Sequence, residues 1–509
     1  MNYKLRQLVA ATLAGTALLG FGANTFADTT DDIVNALIAK GVLTEEEGAL
    51  LINARELEKG TKAKTPATKF KDGLMFESPD GDFKAKIAGR IHADYRIFDH
   101  NDGANNPALL PATSITNSVV TANPTNIGAD TFDIRRARIG FEAKYKNYYD
   151  AVLSLDMVGA ANNGGSATNL TIVDQAYLNV AWWQPVQFRF GVFKAPMTLE
   201  KLTSSNNIDF MERSFVNALA PNEQIGAMVH GVPTTGVTYQ LGAFNGGPTR
   251  AAESDIREDG KEFVARATVN FAEIMGKKEM ISHLGVSFSD GDLPQGGVGA
   301  SGRTESRGAT FFRAPSFQNS PTNFDSSNRQ RIGLEGAFAY NQFKAQAEWM
   351  KQTDKFDTLA RGYNLDTANW YLEGLWTITG EKYADGYKNG AMGAIKPTKD
   401  FDPSTFSGGA WEVGLRYSQF DASDYNSIGV GQGVGSADTS ITTKAAGFAK
   451  AKAYTAGVKF LPNSNMRFML NYVKTDFSDV IGGATGGVVL NNKRIDDEQA
   501  VLMRAQWMF

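Results

Sequence analysis

The last thirteen residues, Asp497 to Phe509, read DEQAVLMRAQWMF and stop on an aromatic. With period two, Val501, Met503, Ala505, Trp507 and Phe509 share one face, and Ala500, Leu502, Arg504, Gln506 and Met508 the other. The first face is apolar and ends in two aromatics; the second carries an arginine and a glutamine. That is the pattern of a strand with lipid on one side and a wet lumen on the other. A strand edge left open in hydrocarbon would strand its N–H and C=O groups without partners, at several kcal/mol each. The terminal strand must therefore pair with the first one, and the sheet must close.

The same alternation recurs upstream. From Phe83 to Phe98, Lys84, Lys86, Arg90, His92, Asp94 and Arg96 share a face opposite Ile87, Ile91, Tyr95 and Ile97. A soluble core has no use for so many charges on one strand face, whereas a water-filled lumen does. In TFDIRRARIGFEAKYK, Ile139, Phe141, Ala143 and Tyr145 face lipid, and Arg136, Arg138, Glu142 and Lys144 face the lumen. Arg135 has the wrong parity, which a bulge or the strand's end would accommodate. Further segments with strand character begin near Tyr148, Thr171, Val186, Gln224, Thr235, Lys261, Ile281, Asn328, Gln342, Thr367, Ala410, Ala449, Asn465 and Ile495, making about sixteen strands. Short turns, such as Asn147, Gln184-Pro185, Asn341 and Pro462-Asn463-Ser464, alternate with long excursions, among them Gly291–Ser327, Glu381–Gly409 and Asp421–Phe448. Short turns on the periplasmic side and long loops outside predict a closed antiparallel transmembrane β-barrel of all-β class, with a short N-terminal helical arm.

Composition supports that reading by what it lacks. After the N-terminus no apolar run reaches the roughly 18 residues of a membrane helix, and the chain is 42% hydrophobic and 21% charged. It has no cysteine, which removes disulfides and thiol chemistry. Residues 1–27 read as a cleaved signal peptide: a basic start, an Ala/Gly-rich apolar core, and Thr25-Phe26-Ala27 before Asp28. Residues 28–60 form an acidic arm with helical spacing, possible coiled-coil character, and a capping-box start at Thr44-Glu45-Glu46-Glu47. Residues 61–80 are a linker, and 81–509 the barrel. The net charge of −4 leaves the sign of the lumen open, because it says nothing about where charge sits.

One stretch lacks alternation and is too long for a turn. APMTLEKLTSSNNIDFMERSFVNALAPNEQIG follows the fifth strand, where a loop spanning 195–223 can fold into the lumen and narrow it. Lys201 brings a charge with three donors, and Ser204 and Ser205 bring hydroxyls. Such groups can replace the water shell of an oxyanion; from spacing alone, an ordinary surface loop with a solvated Lys and Ser cluster is the better fit. His92, His100, His230 and His283 lie too far apart for a metal-ligand pattern. SFSDGDLPQGG lacks the closing glutamate of a calcium loop, and GVGQGVGS has no following lysine and helix. The aromatics suit membrane-interface girdles better than nucleic-acid stacking. The expectation is no catalytic site, metal, cofactor or nucleic-acid partner.

The arm with IAKGVLTEEE, FDIRRA, VDQAYL (Val173–Leu178), GVFKAPMTLEKLTSSN and the terminal aromatic, in that order, resemble the phosphate-selective porins O and P. The resemblance implies a homotrimer of sixteen-stranded barrels in the outer membrane of a Gram-negative bacterium. Its third loop would fold inward, and basic residues would guide anions to a constriction. Carried over by motif, that constriction holds Arg135, Arg136, Asp174, Lys201, Ser204 and Ser205, with Arg90 joining from the first strand. Two departures stand out. The phosphate-selective pattern has an aromatic after RRA, where this chain has Arg138, an extra base that would suit a more highly charged anion. The family's lumen arginine ladder has only scattered counterparts, Arg303, Arg307 and Arg313, then Arg329 and Arg331 on one strand face. The function implied is passive diffusion of phosphate, pyrophosphate or short polyphosphate across the outer membrane, with outer-membrane lipid as surroundings. The alternative is a general porin for organic acids or other small hydrophilic solutes.

Overall fold

The computed structural model describes residues 66–70, 73–99, 119–121, 130–158, 172–246, 261–292, 301–317, 324–358, 362–428, 441–443, 445–481, 487–490 and 493–509, with a few positions between 38 and 50. The signal peptide expected at 1–27 and most of the expected arm and linker lie outside the described residues. Within the arm, the Thr44 hydroxyl accepts from the Glu47 N–H at 3.2 Å, and the Glu47 carboxylate accepts from the Thr44 N–H at 3.0 Å. This is the reciprocal pairing of a capping box.

Sixteen long strands make the barrel: β1 (Phe83–Asp99), β2 (Thr131–Tyr145), β3 (Tyr149–Asp156), β4 (Ile172–Trp183), β5 (Val186–Lys194), β6 (Glu223–Thr234), β7 (Val237–Phe244), β8 (Glu262–Asn270), β9 (Met280–Asp292), β10 (Phe324–Tyr340), β11 (Phe343–Thr358), β12 (Gly362–Thr377), β13 (Ala410–Asp421), β14 (Ala446–Asn463), β15 (Met466–Val480) and β16 (Asp497–Met508). Each pairs antiparallel with its neighbours in chain order. The terminal strand closes on the first, from Gln499 opposite Asp99 to Met508 opposite Arg90. Of the strand starts read from sequence, the furthest off are Asn328, where β10 begins at Phe324, and Thr367, where β12 begins at Gly362.

Alternation decides the two faces. On β13, Trp411 and Leu415 are exposed on the lipid side, while Glu412, Arg416 and Ser418 are buried in the lumen. On β16, Met503 and Trp507 are exposed, and Arg504 and Gln506 point inward.

Two features differ from the sequence reading. Leu74–Glu77, taken there as linker, is a strand paired with β1 from Leu74 opposite Ile87 to Glu77 opposite Lys84. The reason is a shortage of partners: β16 stops at Arg90, so the lower edge of β1 needs another neighbour for its backbone groups. The excursion around Glu381–Gly409 belongs to the short-turn side and not to the long-loop side. It joins the lower ends of β12 and β13, level with the turn at Asn341 and the chain's end. Length alone could not reveal this; only the strand count before it fixes the side.

The core sits inside the barrel, where inward segments meet. Ala195–Asn222 joins β5 to β6, 301–317 follows β9, and 378–409 rises from below. Phe215 from the first segment packs edge-on to Phe311 from the second (5.7 Å) and to Phe420 on the wall (6.1 Å). Phe311 in turn stacks on Phe477 at 5.4 Å. Leu199 shares a second buried cluster with Tyr383 and Met392 of the lower segment.

Candidate functional site

Two β-bulges build the site's wall. Opposite β1, His92 faces Arg136 while Ala93 faces Ile134, so Arg135 is the extra residue of β2. The bulge turns both Arg135 and Arg136 inward, against strict alternation. Opposite β3, Ser154 faces Gln175 and Leu155 faces Val173, which makes Asp174 the extra residue of β4. Without that bulge its carboxylate would face lipid.

The loop after β5 is held across the lumen by buried polar contacts. Glu348 on β11 accepts from the N–H groups of Leu199 (2.8 Å) and Glu200 (2.7 Å). Those are orphan donors at the start of the short helix Leu199–Leu202, which Thr198 also caps. Glu200 accepts from the Ser214 N–H and hydroxyl and lies 3.4 Å from Arg416 of β13. Asp209 pairs with Lys344 of β11 at 2.5 Å. Glu212 gathers Arg135 (2.8 Å), Arg96 (2.9 Å) and Arg504 (3.3 Å). Burial would raise the Glu212 carboxyl, but Arg135, Arg96, Arg307 and Arg504 hold it well below the usual range.

The loop packs against the β10–β16 wall and leaves a cavity of about 1130 Å³ along β1–β7. At ~30 Å³ per water that is room for roughly 40 waters. All eight residues singled out from sequence line it: Arg90, Arg135, Arg136, Arg138, Asp174, Lys201, Ser204 and Ser205. Its lining side chains include twelve lysines and arginines against five carboxylates.

The bases are not equivalent. Arg138 donates to Asp156 (2.8 Å) and Asp174 (2.6 Å), and Arg135 to Glu212. Their charge is already met. Arg90 donates to Ser205 (3.0 Å) and Ser204 (3.5 Å), with no carboxylate in ion-pair range among the described residues. Lys201 donates to Asn222 at 2.6 Å, also without a paired carboxylate, so two of its three N–H bonds remain for another acceptor. Arg136 Nε has no hydrogen-bond partner among the described residues. Lys201 lies on the loop and not on a spanning strand. Burial pushes its ammonium down to about 8, against the opposing pull of Glu223.

Sequence reasoning missed Lys194, Arg189, Arg213 and Glu212. Arg189 has lumen parity and could have been found by alternation; its guanidinium stacks 4.4 Å over the Tyr177 ring. Lys194 falls on the lipid parity of β5, but the chain turns inward there. Its ammonium donates to the Lys201 carbonyl at 2.8 Å and reaches those of Leu202 and Thr203. Arg213 and Glu212 sit in a loop with no period to read. Of the scattered arginines, Arg329 pairs with Asp354 at 2.6 Å and Arg331 with Glu262, while Arg307 lines the cavity. His92 faces the lumen and meets Asn206 at 3.1 Å.

The family described as "Phosphate-selective porin O and P" has a model that matches residues 117–509. Porin O of Pseudomonas aeruginosa is 27% identical over 464 residues, covering 87% of this chain and 92% of that protein. Among solved structures, an anion-selective porin from Comamonas acidovorans aligns at 12% identity with a TM-score of 0.46, over 84% of this chain and all of that one. The outer-membrane channel DcaP of Acinetobacter baumannii aligns at 11% identity with a TM-score of 0.46, over 85% of this chain and 99% of that one.

Proposed function

Because the chain belongs to the phosphate-selective porin O and P family, and is therefore an outer-membrane porin and not an enzyme, we propose that it conducts anions and binds phosphate-type oxyanions at the constriction beside Lys201. The observation that carries this is the split between met and unmet charge. Arg135 and Arg138 are neutralised by carboxylates, whereas Arg90, Arg136 and Lys201 converge with two serine hydroxyls on one hydrated cavity. Hydroxyls and N–H donors replace an anion's water shell, and the unpaired bases supply the attraction.

Arg138 bears on which oxyanion. Set between Asp156 and Asp174, it offsets two acids and adds no free positive charge. That favours a small oxyanion such as phosphate over pyrophosphate or polyphosphate. Asp174 keeps the well shallow, so that a bound anion leaves; conduction needs weak or multiple sites. Three copies assembled in the membrane fit the family resemblance.

Titration of the chloride current in a planar bilayer tests the reading. Phosphate is expected to block at concentrations where pyrophosphate blocks less. Anion current without block would leave the alternative, a general anion porin.

A further inference from the structure

The segment below the barrel carries a feature that conduction does not use. At its lower end, Asp402 and Ser407 bridge to form a tight hairpin, and Asp402 accepts from the N–H and hydroxyl of Ser404. Phe406 stands at its tip, 84% exposed. Its φ of +51° is left-handed, a conformation that a bulky side chain rarely adopts. The hairpin therefore holds this ring outward against the backbone's own preference. Gly408 and Gly409 follow, also left-handed, and return the chain to β13.

The ring is not isolated. Phe406 lies 6.1 Å from Phe401, and Phe401 packs edge-on to Phe460 of β14 at 5.2 Å. Phe460 stacks on Trp411 of β13 at 4.5 Å. Further along the same rim, Phe343 of β11 stacks on Trp376 of β12 at 5.9 Å. Trp411, Trp376 and Phe343 are exposed on the lipid-facing parity of their strands. A belt of aromatics at a barrel's rim marks the membrane–water interface. The hairpin extends that belt beyond the wall, with Ser404, Thr405 and Ser407 beside Phe406 at headgroup polarity. The backbone N–H of Phe401 donates to Pro462 at 2.7 Å, which fixes the hairpin to the base of β14.

We propose that the hairpin Asp402–Ser407 is an interfacial foot whose Phe406 ring inserts into the periplasmic leaflet of the outer membrane, with phospholipid as its partner. The foot would anchor the lower segment from outside while the same segment lines the lumen through Ala394 and Lys396.

The chain has no cysteine, so single spin labels report single sites. Full-length protein carrying Phe406→Cys, Ser404→Cys or Leu415→Cys is labelled and reconstituted in phosphatidylethanolamine–phosphatidylglycerol vesicles. Collision with oxygen is compared with collision with a water-soluble nickel chelate. Leu415, 68% exposed mid-strand, is the hydrocarbon reference, and Ser404, exposed on the polar side of the same hairpin, the headgroup-level one. The label at 406 is expected to prefer oxygen, with a ratio nearer that of Leu415. A ratio equal to that of Ser404 overturns the proposal. So does shielding from both reagents, which would mean a protein partner such as a second copy. Phe406 lies away from the cavity, so unchanged conductance of the labelled protein verifies its fold.

Discussion

Replacing Lys201 by glutamine should weaken phosphate block far more than removing the pair Arg138 and Asp174 together. The reason is in the pairing. Lys201 is hydrogen-bonded to neutral Asn222, and among the described residues no carboxylate lies in ion-pair range of it, Glu223 acting from further away. A hydrogen bond to a charged group contributes about 1.5–3 kcal/mol. Coulomb attraction at ~4 Å spans about 1–4 kcal/mol between bulk water and a protein surface. Loss of about 1.5–3 kcal/mol raises the half-blocking phosphate concentration by roughly 10- to 150-fold. In Arg138→Gln/Asp174→Asn one positive and one negative charge leave together, from groups 2.6 Å apart. The field at the constriction then changes little, and the block should stay within roughly threefold, below 1 kcal/mol. Both proteins are compared in bilayers at one salt concentration, because screening acts over about 8 Å at physiological strength. Equal loss in the two variants would refute the division into met and unmet charge.

Other outcomes follow from the same geometry. Sulfate keeps its charge between pH 7 and 9, so its block should weaken as pH rises through about 8, where Lys201 loses its proton; Lys201→Arg, always protonated, should flatten that profile. Glu348→Ala removes the acceptor for the Leu199 and Glu200 N–H groups. Each buried N–H left without an acceptor costs about 1–3 kcal/mol, so the loop should loosen and single-channel current become larger and noisier; a quiet, unchanged channel would contradict this anchoring. Asp174→Asn leaves Arg138 with one carboxylate and should tighten phosphate block while slowing passage, read as longer blocked intervals. Native mass spectrometry of detergent-extracted protein should give three times the monomer mass; a monomer would remove the trimer.

The barrel was legible because alternation is imposed by two solvents on every strand. Closure could be argued from the last strand alone, since an open edge in lipid has no partner. Parity predicted the inward face of Arg90, Arg136 and Arg138, and the odd parity of Arg135 pointed to the bulge that β2 contains. What stayed hidden lacks a period. Glu212 meets three arginines from three strands across the lumen, a contact no local pattern encodes. Lys194 carries lipid parity and escapes only because the chain turns at its end. The excursion at Glu381–Gly409 looked like any long loop, and its place below the barrel came from the pairing of β12 with β13. The pairing of Arg138 with two acids was equally invisible, because Asp156 reaches it from the next strand and Asp174 from the one beyond.

The most direct test of the central claim is the zero-current potential of the unmodified protein in a planar bilayer across a potassium chloride gradient. Twelve bases against five acids along the cavity predict a potential set by chloride, negative on the dilute side. A potential set by potassium would contradict the assignment of that cavity as the conducting path for anions.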